Sequence, residues 1–163
     1  MLPAYKYLQA IELTQVVSID LICKDQQGRV LVGKRKNEPA RGTWFVPGGR
    51  VYKGETPIEA IPRLSMNEIG FLIYKSECKF IGVNDHIYNT NFQEEVDEHK
   101  SLIPTHYVCL AYEVTVDPEK LNLQQFDIQH DGMRWMTHEE IMDHPKVHPY
   151  TRKYFTGEFN WAQ

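Results

Sequence analysis

Residues 48–70 read GGRVYKGETPIEAIPRLSMNEIG. The segment opens on Gly48-Gly49, a glycine-rich turn after the short strand-like run WFVP. Thr56, Pro57 and Glu59 then give a helix start: a hydroxyl N-cap, proline at the first helical position and a glutamate three residues past the cap. Gly70 supplies the stop. Pro62 lies inside the predicted helix, where it lacks an amide donor and crowds the preceding turn, so a kink or a loosened ladder is expected. Leu64, Asn67 and Glu68 are related as i, i+3 and i+4 and are expected on one helix face. Glu68 is the only carboxylate of the three. Mg²⁺ takes oxygen ligands and commonly uses only one or two carboxylates, with phosphates and waters completing its shell.

Working outward, VVSIDLIC (16–23) reads as a strand that ends at the polar turn KDQQG, with RVLVGKR (29–35) as its hairpin partner. Further strands are expected at CKFIGVN (78–84), THYVCLAYEVTV (105–116) and MRWM (133–136). THEEIMDH (137–144) begins a second helix with its own capping box. Strands and helices mixed in this way predict an α/β or α+β sandwich. Asp85–Pro104 is polar, lacks periodicity and is long for a connector, which suits a binding loop.

The chain has 163 residues, enough for one domain with a core, and a formal net charge of −4. That charge supplies no basic field for nucleic acid. Cys23, Cys78 and Cys109 are odd in number, lack metal-ligand spacing and sit in apolar runs, so they are expected as buried thiols in a reducing cytoplasm. No apolar stretch is long enough for a membrane span or a signal segment. His138, His144 and His148 lack a coherent zinc spacing and are expected at the surface. Trp44 and Trp135 are read as strand residues that pack or make dimer contacts, although each tryptophan offers a ring on which guanine could stack.

Gly49, Glu55, Arg63, Glu68, Gly70 and Phe71 fall in register with the Nudix box, G-x5-E-x7-R-E-U-x-E-E-x-G-U, where U is bulky and aliphatic. The segment resembles that box with these departures: Leu64 and Asn67 stand in place of glutamates that bind metal, Ser65 replaces a bulky residue, and Phe71 substitutes at the final bulky position. The altered box, with VSID, LVGKRKNEPARGTWFVPGGRV, FIGVNDHIY, THYV and QHDGMRWMT read in order, is similar to the GDP-mannose mannosyl hydrolase subgroup of the Nudix family. The resemblance implies an α/β/α sandwich with a mixed β-sheet and a loop-helix-loop metal site, one Nudix domain over 1–163, and usually a homodimer. It also implies a GDP-sugar substrate and Mg²⁺, with Mn²⁺ as the other candidate.

Residue by residue, the resemblance assigns the general base to His130, and the metal to Gly48 through its carbonyl, Glu68 and Gln129. Arg35 and Arg50 are natural diphosphate partners, since guanidinium groups match phosphate oxygens and stay charged. Tyr107 is carried over as a further phosphate contact, with a partly buried strand tyrosine as the plain alternative. Asp20 and His86 match positions that contact or orient the hexose; a strand-end turn residue and a loop surface residue are their alternatives. Arg63 is expected to brace the helix through Glu59 or to orient the metal site, and Glu55 to be architectural.

The implied reaction is hydrolysis of GDP-mannose, or of GDP-glucose, by water attack at the anomeric carbon with inversion. An ordinary nucleotide-sugar pyrophosphohydrolase and a catalytically quiet nucleotide-sugar binding protein are the competing readings.

Overall fold

Alternation along VVSIDLICK sends successive side chains to opposite faces of a sheet. In the computed structural model, which describes residues 3–92, 103–121 and 130–161, this segment is strand β1 (Val16–Lys24). Ile19, Leu21 and Cys23 enter one apolar layer, and Ile22 enters a second layer on the other side. Ser18 and Asp20, in step with Ile22, are buried polar residues.

Strands β2 (Val30–Arg35), β3 (Trp44–Phe45), β4 (Gly48–Arg50), β5 (Lys79–Tyr88), β6 (Thr105–Thr115) and β7 (His130–Met136) complete a seven-stranded sheet. Its order is β3-β2-β1-β6-β5, with β4 paired to β1 and β7 paired to β2. β1 runs parallel to β6 and the other pairs are antiparallel, so the sheet is mixed. The expected β1–β2 hairpin closes at Lys24 and Val30, while β4 takes Ser18, Ile19 and Asp20 of β1 as its partners. Gly48 therefore lies directly across from Asp20.

Helix α2 (Pro57–Ile69) covers one face, burying Ala60, Ile61, Leu64 and Ile69 against Ile19, Leu21, Leu31 and Tyr112. Burying each large aliphatic side chain contributes about 2 kcal/mol. Helices α3 (His138–Asp143) and α4 (Pro149–Thr156) cover the other face, through Ile141 and Tyr154 against Val30, Val32 and Met136. The result is an α/β/α sandwich. Helix α1 (Ala4–Leu13) buries Leu8 and Ile11 and contacts β6.

Helix α2 persists through Pro62. Other expectations change. Ser65, where the box favours a bulky residue, donates from Oγ to the Pro62 carbonyl (3.1 Å) and accepts from the Ile73 amide (2.9 Å). It thus ties the helix to the chain beyond Gly70, whose left-handed φ of 66° ends α2. Of the trio expected on one face, Leu64 and Glu68 are buried but Asn67 is exposed. The segment from Asp85 to Pro104 is not all loop, because β5 continues through Tyr88; its residues 93–102 lie outside the described residues. Among the thiols, Cys23 and Cys109 are buried and Cys78 is half-buried.

Candidate active site

The site is built around the β4 turn. Glu59 Oε2 accepts from the Thr56 amide and the Thr56 hydroxyl, both at 2.8 Å, which fixes the start of α2. Arg63 makes a two-pronged pair with Glu55, Nε to Oε1 at 2.6 Å and Nη2 to Oε2 at 2.7 Å, and also donates to the Arg50 carbonyl at 3.0 Å. The brace expected to Glu59 is therefore made to Glu55, because the loop folds back across the helix and brings the box glutamate to the guanidinium. Glu55 Oε2 also accepts from the Tyr52 amide at 2.8 Å. Its carboxyl is held below the usual glutamate range, chiefly by the bond from Arg63. Glu55 thus ties the loop to the helix.

Two close approaches explain the paired glycines. A Cβ on Gly48 would lie 2.4 Å from the Ile19 carbonyl oxygen and 2.7 Å from Asp20 Oδ1. On Gly49 it would lie 2.7 Å from Leu64 Cδ2. Gly48 can approach the β1 backbone only without a side chain, and a side chain on Gly49 would require Leu64 to shift.

Beside the turn is a cavity lined by residues from scattered elements, among them Asp20, Arg35, Gly48, Arg50, His86 and Tyr107. Tyr7, Tyr88 and Phe45 also line it. The structure thus brings together six of the residues singled out from sequence. Arg50 lies against two tyrosine rings, with its guanidinium carbon 4.2 Å from the Tyr7 centroid and 5.3 Å from that of Tyr52. Such contacts favour a cation and hold the planar group in one orientation. Arg35 Nε donates to the Pro39 carbonyl at 2.9 Å. Tyr107 is half-buried on β6, and its hydroxyl is 3.3 Å from that of Tyr7. Burial pushes the Tyr107 and Tyr88 hydroxyls well above their ordinary range, so both remain protonated donors.

The cavity floor is drier. Asp20 and His86 are 6 % and 3 % exposed, and His86 is a buried β5 strand residue, not the loop surface residue that was its alternative. Burial raises the Asp20 carboxyl to about 6 against the lowering effects of bonds from Tyr154 and Cys109 and the charge of Arg35. Burial, then the nearby His148 and Lys153, lowers His86 to about 3. The His86 ring stacks on Tyr150 at 4.3 Å with an interplanar angle of 7°. His148, expected at the surface, is half-buried beside Phe45 and Tyr88 and lowered to about 4, mainly by burial.

For a divalent cation, the Gly48 carbonyl and the 4 % exposed Glu68 carboxylate provide hard oxygen donors of the kind Mg²⁺ takes. Gln129, the third expected ligand, lies outside the described residues. Asp20, His86 and Cys109 also bring ligand atoms within 4.8 Å of one another. The Tyr154 hydroxyl already bonds to all three, at 2.5, 3.3 and 3.6 Å, so the space between them is taken. His130 opens β7 and its main chain pairs with Arg35, beside the cavity; its side chain lies outside the described part.

Sequence reasoning missed Tyr7, Tyr88, His148, Tyr150 and Tyr154. The signal available for the last three was the His148-Pro149 start and the Gly157 stop, which bracket α4 in the manner of a capped helix.

A glycine turn feeding a capped helix, beside a cavity with two guanidinium groups, marks an enzyme class that handles phosphorylated nucleotides. The Nudix domain model matches residues 14–156, and the chain belongs to the Nudix hydrolase family. It is 37% identical over 141 residues to the low-salt glycan biosynthesis protein Agl8 of Haloferax volcanii, spanning 85% of this chain and 79% of that protein. Among solved structures, a MutT protein from Methanosarcina mazei Go1 superposes with a TM-score of 0.66 at 18% identity, covering 90% of this chain and 94% of that one. The Nudix domain of Shewanella oneidensis NrtR, solved with ADP ribose, gives 0.62 at 15% identity and 96% coverage of both chains. These two likenesses support the fold. Among the described residues, no helix is long and apolar enough to cross a membrane.

Proposed function

We propose that the chain, a single Nudix domain over 1–163 working as a homodimer, hydrolyses a GDP-hexose to GDP and free sugar, with water attacking the anomeric carbon and inverting it. GDP-mannose is the leading substrate and GDP-glucose the second. The observation that carries the reading is the thinned carboxylate face of α2. Leu64 is buried in the core and Asn67 is exposed, which leaves Glu68 as the buried acid of the three. Chemistry at phosphorus uses a carboxylate-rich metal cluster in the ordinary members the box describes. Here the residues favour a single cation held by Gly48, Glu68 and Gln129. Bound there, Mg²⁺ or Mn²⁺ supplies charge neutralisation for the departing diphosphate.

The chain's own residues divide the remaining work. Arg35, Arg50 and Tyr107 bind the diphosphate by donating to its oxygens, and the two arginines hold their charge throughout turnover. Asp20 and His86 orient the hexose at the cavity floor. His130, starting β7 next to Arg35, takes the proton from water as the new C–O bond forms and the old one breaks toward GDP. The likeness to a glycan biosynthesis protein supports a sugar-bearing substrate.

Hydrolysis in ¹⁸O-water with Mg²⁺ tests the reading. The label is expected in the free hexose, with unlabelled GDP. Label on phosphate, with GMP and hexose phosphate as products, replaces the reading with a pyrophosphohydrolase. Binding without metal-dependent turnover replaces it with a nucleotide-sugar binding protein.

A further inference from the structure

We propose that Tyr154 is a positioning residue for the sugar end of the cavity: its hydroxyl decides which oxygen of Asp20 faces the substrate and which tautomer His86 adopts. The inference rests on the reading above for the identity of the substrate, but its proton map does not. Thr151 and Tyr154, three residues apart on α4, form that helix's buried face. Tyr154 is 8 % exposed, its ring packs toward Phe159, and it is not among the residues that line the cavity.

The hydroxyl meets Asp20 Oδ2 at 2.5 Å. The other oxygen, Oδ1, lies against Gly48, where an added Cβ would be 2.7 Å away. One oxygen is therefore tied to α4 and the other is presented beside the metal-side turn, so the carboxylate cannot rotate without breaking a buried bond. A phenol carries one proton. Donated to Asp20, that proton leaves only acceptor capacity toward His86 Nε2 at 3.3 Å and Cys109 Sγ at 3.6 Å. His86 must then hold its hydrogen on Nε2 and keep Nδ1 as an acceptor. Burial keeps the imidazole neutral and the Cys109 thiol protonated, as this arrangement requires.

Tyr154→Phe keeps the ring and removes the proton. With GDP-mannose, kcat is expected to fall about tenfold, as for loss of one buried hydrogen bond aimed at a reacting group. Inhibition by GDP, which draws on the arginines, Tyr107 and the metal side of the site and not on the cavity floor, should stay within about twofold of wild type. Long-range ¹H–¹⁵N spectra of the wild-type protein should give the Nε2–H signature for His86, and the variant should lose that single tautomer. Turnover within twofold of wild type overturns the proposal, as does a fall in GDP affinity equal to the fall in kcat, which marks general damage. A wild-type His86 in the Nδ1–H form overturns it even if Tyr154→Phe fails to fold. A wild type inactive on GDP-hexoses defeats the functional reading alone, and the tautomer measurement still decides this one.

Discussion

The turn and helix at 48–70 and the cavity floor meet at Gly48, yet they are built in opposite ways. In the first, the structural bonds are short-range: Thr56 to Glu59 spans three residues and Arg63 to Glu55 spans eight. In the second, Asp20 and Tyr154 are 134 residues apart, and His86 and Tyr154 are 68 apart. Local pairs can form whenever the helix forms. The floor exists only when β1, β5, β6 and α4 are all docked, so its hydrogen bonds depend on the whole sandwich. The turn and helix are thus a segment property and the cavity floor a tertiary one.

The largest expected effect tests whether catalysis needs a residue that neither region supplies. His130→Ala should lower kcat about 10²-fold or more with a smaller change in KM, because a general base acts in the transition state and contributes little to ground-state binding. Steady-state kinetics on GDP-mannose give the answer. An unaltered kcat removes His130 from the mechanism and leaves the floor as the place to look for the base.

A middle-sized effect tests the local region by itself. Glu55→Gln takes the charge from a pair whose side chains are only 24% and 13% exposed, leaving Arg63 half-paired beneath Tyr52. The cost should be about 2 kcal/mol, a fall of about 4–8 °C in melting temperature for a chain of this size. The Lys24–Glu113 pair, at 30% and 34%, is better solvated, and Glu113→Gln should cost under about 1 kcal/mol. Equal losses in the two variants would mean that the loop pair contributes no more than a surface pair, and the contrast between regions would weaken.

The same contrast governs what was legible in the sequence. Helix α2, its cap, its stop and its glycine turn are written contiguously, and the box register picks out Glu55 and Arg63. Strands β1, β5, β6 and β7 follow from their β-branched and apolar runs, although β5 extends further into the polar stretch than composition implies. What escaped is what needs a third dimension. Helix α1 has no side-chain cap and no acid in its first turn, so nothing local announces it. Helix α4 has only eight residues and its buried face is Thr151 and Tyr154, too polar to read as a core stripe. His148 sits among polar neighbours in sequence, which points to the surface, yet aromatic rings from other elements half-bury it. Arg63 was read against the helix spacing, whereas its partner arrives from the loop.

The smallest effect concerns how the floor responds to acid, and its sign follows from three groups. Asp20 rises from 3.8 to about 6 on folding, so between those values the native state holds the extra proton and acidification through pH 6 favours folding. His148 falls from 6.5 to about 4 and His86 from 6.5 to about 3, so below pH 6.5 the unfolded chain takes up their protons and stability declines as pH drops toward each folded value. Two groups oppose one, and the balance between pH 6 and pH 4 is a loss. His148 adds a structural reason: its Nδ1 accepts from the Tyr150 amide at 3.2 Å as the N-cap of α4, a role that protonation abolishes. Melting temperature should therefore decline from pH 7 to pH 4.5, and decline less in His148→Asn, whose amide can cap the helix without titrating. The same slope in both proteins would release α4 from this dependence and make the cavity floor more independent of its surroundings than its long-range bonds imply.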